Sequence, residues 1–466
     1  MVMQELIELG VDVMRVNFSH GSFDNRAERV EMIRSISAKV GRDVGIIGDL
    51  QGPKIRIESF KEGRAVLRKG ADFELDPSLG AADGDASRVG VAYRHLADDV
   101  APGDFLLLDD GLILLAVTDV SDKRIRCRVE RGGVLGNNKG LNKQGGGLSA
   151  PALTEKDRKD IEQAAKMQLD FIAVSFAREA KDIEEARELL RSAGGHGYVI
   201  AKIERAEAVQ NIHEIIDASD VIMVARGDLA VEVGYASMTG LQKGLIRLAR
   251  AKNKVSITAT QMLESMIHSA SPTRAEVSDV ANAVMDGTDA VMLSAETAVG
   301  DNPGQAVRTM ANVAVGAEKH EQFSRAANYR IDDTFEHVDE AIAMASMYTA
   351  NHLDVKAIVA LTESGSTTLW MSRVRSGIPI FAFTRHEATR RRVTLYRGVY
   401  PVNFDIVSVG SNERMYQAIF AQLVADGAVA PGDKILFTKG EFEGISGGTN
   451  TLQILTVPRS ASGRSD

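Results

Sequence analysis

Seven short runs of β-branched and aliphatic residues, at 11–19, 44–50, 170–176, 198–204, 220–226, 254–260 and 289–296, are bounded by turn residues and separated by amphipathic helical stretches. That alternation predicts strands joined by crossover helices, and so a parallel sheet. Each run is apolar through its middle and polar at or just past its carboxyl end: Arg15, Asn17 and Ser19; Asp49; Ser175; Lys202 and Glu204; Arg226 and Asp228; Thr258 and Thr260; Ser294 and Glu296. Any one tip reads equally well as a solvated strand end. All of them together predict a shared polar site, because burying charge without a partner is costly. The expected fold class is α/β, a (β/α)8 TIM barrel with its site at the carboxyl face. Such a barrel closes with eight strands, and the residues before 11 hold only a helix-like fragment. The first strand is therefore expected to be missing through a late start, or else the fold closes in some other way.

Residues 52–150 change character. Short alternating stretches (Arg64-Ala-Val-Leu-Arg, Phe105-Leu-Leu-Leu, Leu112-Ile-Leu-Leu-Ala-Val, Arg124-Ile-Arg-Cys-Arg-Val) are separated by Gly, Asp and Pro, which predicts a small β-barrel or sandwich inserted in a loop. Placed at the carboxyl face it would act as a lid. Its exit (Gly132, Gly133, Gly136, Gly140, Gly145 to Gly147) reads as a hinge or as a flexible surface loop. The expected division is a barrel over 1–51 and 151–322, a lid over 52–150 and a C-terminal α/β domain over 323–466. In the last, a helix at 338–352 and strands at 356–361, 379–383 and 434–438 are expected. Its first strand runs into Thr362-Glu-Ser-Gly-Ser-Thr-Thr and a helix, where Thr362, Ser364, Gly365, Ser366 and Thr367 suit an anion or act as ordinary helix caps. A second loop, Ser446-Gly-Gly-Thr-Asn, could close on it, and Arg390, Arg391 and Arg392 add cations nearby in sequence.

At 466 residues the chain exceeds one hydrophobic core, so two to four domains are expected. A net charge of -9, from 55 Lys and Arg against 64 Asp and Glu, gives no footprint for a nucleic-acid partner. The single cysteine, Cys127, excludes an internal disulfide and a multi-thiolate metal site. No signal-peptide pattern or long apolar run is visible, so neither a membrane span nor export is expected and the cytoplasm is the default.

Lys202 and Glu204 share one face of a strand, because side chains alternate with period two. With Asp228 from the next strand they offer two hard oxygen donors for Mg²⁺ or Mn²⁺; the alternative is that the carboxylates simply pair with Lys202 and Arg226. None of the nine histidines falls in a zinc-ligand pair. A divalent cation, a lysine and arginines aimed at one place stabilise charge on a transferring phosphoryl group or an enolate. No Gly-rich phosphate loop of the Walker or protein-kinase kind is present, so a nucleotide must be held otherwise.

Several segments resemble the pyruvate kinase family: Met14-Arg-Val-Asn-Phe-Ser-His-Gly, Asp49-Leu-Gln-Gly-Pro-Lys-Ile-Arg, Ala201-Lys-Ile-Glu, Met223-Val-Ala-Arg-Gly-Asp-Leu, Thr258-Ala-Thr-Gln-Met-Leu-Glu-Ser-Met-Ile, Pro272-Thr-Arg-Ala-Glu and Asp279-Val-Ala-Asn-Ala-Val. The resemblance extends over essentially the whole chain. It implies transfer of the phosphoryl group of phosphoenolpyruvate to ADP in glycolysis, giving pyruvate and ATP. By the same resemblance Glu204 and Asp228 hold the divalent ion, Lys202 neutralises the phosphoryl group, and Arg15 and Arg56 hold the phosphate. The backbone at Gly227 and Asp228, with the Thr260 hydroxyl, fixes the substrate carboxylate near the site of enolate protonation. Asn17, Ser19 and Asp49 match monovalent-cation ligands, and the 362–368 loop matches an effector site for a sugar monophosphate or AMP; a homotetramer is also implied.

The sequence departs from the family in places. Lys54 stands where K⁺-requiring members carry Glu, and Leu50 where they carry Thr, so K⁺ is not expected to be required. Ala230 replaces the usual Gly, a minor change, and the absent first strand removes a turn that helps to seat the nucleotide. Two rivals stand beside this reading: a truncated, catalytically impaired relative that binds a phospho-metabolite, and another barrel enzyme acting on an enolate, such as an aldolase.

Overall fold

The computed structural model describes residues 2–319, 334–374, 376–405, 411–440 and 447–459. All seven runs become strands of one parallel sheet, ordered Val13–Asn17, Gly45–Asp49, Phe171–Val174, Tyr198–Ile203, Val221–Ala225, Val255–Ala259 and Ala290–Val291. Neighbours in sequence are neighbours in the sheet with helices between them, which is the curled sheet of a TIM-type barrel. Among the described residues no strand joins Val13–Asn17 to Ala290–Val291. The helix Val2–Glu8 precedes the first strand and packs on Phe23–Val40 and Pro303–Glu318.

Strand parity sorts the core. Ile46, Ile172, Val199, Ala201, Ile222 and Val224 pack outward against the helices. Ile47, Phe171, Ala173, Ile200, Met223 and Ile257 fill the interior. One step further along the same inward face come Asp49, Ser175 and Lys202, so the pattern that builds the core also aims these three at the carboxyl mouth. The last run departs from expectation, since its strand ends at Val291 and Ala295–Ala298 is a short helix.

Between Ile55 and Ala150 a separate apolar cluster forms around a six-stranded and a two-stranded sheet. Four of its strands (Asp72–Leu75, Arg88–Val89, Gly133–Gly136 and Leu141–Lys143) were not apparent from sequence. In the C-terminal part the helix Val338–His352 and the strands Ala357–Leu361, Ile380–Thr384 and Lys434–Gly440 match expectation. Two edge strands, Val399–Asn403 and Thr449–Thr456, complete a five-stranded sheet. Both had escaped the pattern: Pro401 breaks the first, and edge strands are where proline is tolerated, while the second is largely polar. The expected boundary at 322/323 lies outside the described residues.

The C-terminal domain closes the amino end of the barrel. Met371, Val393 and Tyr396 join the interior cluster, and aspartates that precede the strands take its arginines: Asp43 from Arg390 at 3.0 Å, Asp170 from Arg391 at 2.8 Å and Asp289 from Arg373 at 3.0 Å. Arg392 lies 4.0 Å over the Tyr198 ring. Arg390, Arg391 and Arg392 thus turn to the barrel rather than to the Thr362 loop they neighbour in sequence.

Candidate active site

At the carboxyl mouth, Lys202 Nζ lies 2.9 Å from Glu204 Oε1, 3.3 Å from Asp49 Oδ1 and 2.8 Å from Ser175 Oγ. Arg15 Nε donates to Asp49 Oδ2 at 2.6 Å. Glu204 Oε2 accepts the Phe176 N–H at 2.8 Å, and Lys54 Nζ sits 3.0 Å from Asp228 Oδ1. Asp49 and Glu204 are almost fully buried. A short path for this chain needs Gly52: a Cβ there would fall 2.8 Å from Ser175 Cβ and 2.9 Å from the Phe176 ring, and its φ is +66°. The Gly52 N–H is held by Asp157 Oδ1 at 3.1 Å, which fixes the turn that delivers Lys54.

Charge in this group is balanced by neighbours. Burial disfavours the Asp49 carboxylate, yet Lys202 and Arg15 together hold it below its ordinary range. Burial would likewise depress the Lys202 ammonium, but Asp49 and Glu204 carry it above its ordinary value. Glu204 is pushed up by burial, with Lys202 opposing and Asp228 adding to the rise. A carboxylate whose charge is disfavoured by a second one suits a cation shared with it. Among the described residues no group of three or more His, Cys, Asp or Glu converges. A divalent ion held by Glu204 and Asp228 alone would complete its shell from substrate and water.

The turn after Val255–Ala259 is strained. Thr260 has φ +67° and Gln261 +53°, an arrangement that costs a β-branched residue roughly 1–3 kcal/mol and persists only when its surroundings impose it. Arg226 imposes it, donating to the carbonyls of Ala259 (3.2 Å), Thr260 (2.6 Å) and Gln261 (3.2 Å) while anchored on Asp279 at 2.5 Å. The Thr260 hydroxyl then accepts the Gly227 N–H at 2.9 Å. Arg226 is thus a clamp, and Asp228 pairs with Lys54 instead.

Other expected residues fall further out. Arg56 is exposed, bridges to Gly140 and donates to the Asn138 carbonyl at 2.9 Å; it makes no hydrogen bond to the Lys202 group. Asn17 Oδ1 accepts the Ser19 N–H at 3.0 Å. Thr258 bonds Thr288 at 3.0 Å, and Glu296 holds the N–H groups of Leu263 and Ser294, so both brace the scaffold. In the C-terminal loop, Thr362 Oγ1 accepts the Gly365 N–H at 2.9 Å, and Ser364 and Ser366 hydroxyls lie 3.3 Å apart. Ser366 also donates to Asp339 at 3.2 Å, and Thr367 meets Thr449 at 2.7 Å. Ser446 of the second loop lies outside the described residues. Sequence reasoning missed Asp157, Asp279 and Glu232; the last could have been found, being one helical turn past Asp228.

Family models described as pyruvate kinase, barrel domain and pyruvate kinase, alpha/beta domain match residues 1–307 and 340–455. The chain is 52% identical over 460 residues to pyruvate kinase II of Salmonella typhimurium, covering 98% of this chain and 95% of that protein. It is 50% identical over 442 residues to the pyruvate kinase of Haemophilus influenzae (94% and 92% covered), and 41% identical over 460 residues to that of Staphylococcus aureus strain MRSA252 (98% and 78% covered).

Proposed function

Since this chain belongs to the pyruvate kinase family, we propose that the cluster of Lys202, Glu204, Asp228 and Arg15 is where it moves a phosphoryl group from phosphoenolpyruvate to ADP. The chain is a phosphotransferase of bacterial type. The observation that carries the assignment of the site is the part-buried ammonium of Lys202, held between Asp49 and Glu204 at the mouth of the barrel.

Lys202 offers fixed positive charge to the phosphoryl oxygens as charge shifts among them, without needing to reorganise. Arg15, held by Asp49, binds the phosphate from the neighbouring strand. Glu204 and Asp228 would hold a divalent cation of the Mg²⁺ type, which would supply Lewis-acid stabilisation to the reaction. The backbone at Gly227 and Asp228, with the Thr260 hydroxyl in the turn that Arg226 locks, would orient the substrate carboxylate. Residues 1–51 and 151–322 would form this catalytic barrel, 52–150 its lid, and 323–466 a regulatory domain whose 362–367 loop takes a sugar monophosphate or AMP. The reading as a silent metabolite-binding relative is not favoured, because the side chains the reaction needs are present and the similarity to pyruvate kinases runs the length of the chain.

Lys54 brings an ammonium to Asp228, and Asp49 is already neutralised by Arg15 and Lys202. No further monovalent cation is needed for charge balance. A coupled assay of pyruvate formation from phosphoenolpyruvate, ADP and Mg²⁺ in potassium-free buffer is expected to give full turnover that KCl changes little. No pyruvate would reject the kinase assignment, and a several-fold rise on adding KCl would reject the role of Lys54.

A further inference from the structure

We propose that Glu232 is a positioning residue that clasps the returning strand of the insert to both segments bearing the divalent-cation carboxylates, so that movement of the insert and the geometry of the metal site are coupled. The proposal rests on the kinase reading above.

Glu232 lies on the helix Arg226–Val233, one turn beyond Asp228, and is only 3% exposed. Its Oε1 accepts the Asn142 amide at 3.3 Å, from the strand Leu141–Lys143 that leaves the insert. Its Oε2 accepts the Ala206 N–H at 2.9 Å, two residues past Glu204. Its own carbonyl takes the Gly145 N–H at 3.0 Å. One residue therefore touches the insert, the Glu204 segment and the Asp228 helix.

Its neighbours reinforce the junction. Arg205 donates to the Leu148 carbonyl at 2.8 Å and pairs with Glu207 at 3.0 Å, and Glu207 accepts the Gly147 N–H at 2.5 Å. Gly145, Gly146 and Gly147 have φ of +81°, +82° and +95°, and a Cβ on Gly146 would lie 2.7 Å from Glu207. The glycines expected to act as a hinge are thus bolted to the barrel at this end. A buried carboxylate is an expensive way to fill space. Here it supplies two acceptors that no apolar side chain could.

The charged groups facing Glu232 are Arg205 and Glu207 from the barrel side; from the insert the polar Asn142 faces it, while Lys143 is turned to Asp104 at 2.9 Å. Burial lifts the Glu232 carboxyl to about 7 against the Ala206 N–H and Arg205. Above that pH both oxygens accept; below it a proton occupies one, and the Asn142 contact loosens. The folded carboxyl binds its proton more tightly than the unfolded one. Its contribution to stability is therefore fully present at low pH and is lost as pH rises through about 7. The clasp is completed at the expense of stability.

The test compares the full-length wild type with E232Q and E232A by hydrogen exchange over residues 141–149 and by kcat and KM from about pH 5.5 to about pH 9. E232A is expected to speed exchange in that segment and lower kcat about 10- to 100-fold with KM for phosphoenolpyruvate little changed, as loss of outer-shell partners does. E232Q, which keeps the shape and one acceptor, is expected to fold normally and to lack the rise of kcat through about pH 7 expected of the wild type. Unchanged exchange in E232A, or one pH profile shared by wild type and E232Q, would overturn the proposal. A wild type without kinase activity would sink the kinase reading instead, and the exchange data would still judge the clasp.

Discussion

Replacing Lys202 by Met is expected to lower kcat by about a thousandfold while KM for phosphoenolpyruvate moves only a few-fold, the signature of an interaction made chiefly in the transition state. Lys202 is the ammonium embedded between Asp49, Glu204 and Ser175. Because those carboxylates hold its pKa above the ordinary lysine range, it stays charged throughout working pH and should contribute no limb to the pH profile. Methionine matches the length of the stem but leaves Asp49 with Arg15 alone and Glu204 without its ion-pair partner. The variant should therefore also melt earlier, and binding of Mg²⁺ should partly restore it. Arginine should not rescue turnover, since a planar fork cannot take the place of a compact ammonium in a closed pocket. Steady-state kinetics on protein checked by thermal denaturation decides the matter: a rise in KM with unchanged kcat would place Lys202 in ground-state binding only.

The largest loss of stability is expected from Arg373→Ala. Arg373 and Asp289 side chains are each 1% exposed, and the guanidinium grips the carboxylate through both terminal nitrogens. Asp289 also accepts the N–H groups of Ser256 at 2.9 Å and Arg397 at 3.3 Å, tying the base of two barrel strands to the C-terminal domain. Truncating one partner strands a buried charge, which costs about 3–5 kcal/mol. The paired change Arg373→Met with Asp289→Leu should recover only part of that loss, because apolar groups can replace a buried ion pair but leave the Ser256 and Arg397 N–H groups without this acceptor. Urea unfolding of the two variants reads the difference. Equal destabilisation would mean that the charges themselves, rather than their pairing, are what the fold requires.

The barrel was legible because its strands carry a period-two signal that is strongest where both faces are buried. The same signal places Asp49, Ser175 and Lys202 on one inward layer. What sequence could not supply was partnership. Glu204 with Lys202 was foreseeable from adjacency on a strand, whereas Lys54 with Asp228 joins residues 174 positions apart. Arg226 looked like a site cation and proves to clamp the Thr260 turn, because its reach to three carbonyls depends on a backbone conformation that no composition signals. The arginines at 390–392 looked local to the Thr362 loop, but the helix Glu387–Val393 turns them to the barrel. Two of the lost strands have a plain reason: the two residues of Arg88–Val89, or a run interrupted by Pro401, carry too little period to be read.

The convergence of Glu204 and Asp228 on one cation can be measured directly by titrating Mn²⁺ into the wild type, Glu204→Gln and Asp228→Asn and following its electron paramagnetic resonance signal. Each substitution should weaken binding by more than the roughly tenfold that even outer-shell changes produce, and the double variant should bind no more weakly than loss of a shared site allows. Wild-type affinity in either single variant would mean that the two carboxylates do not serve one ion.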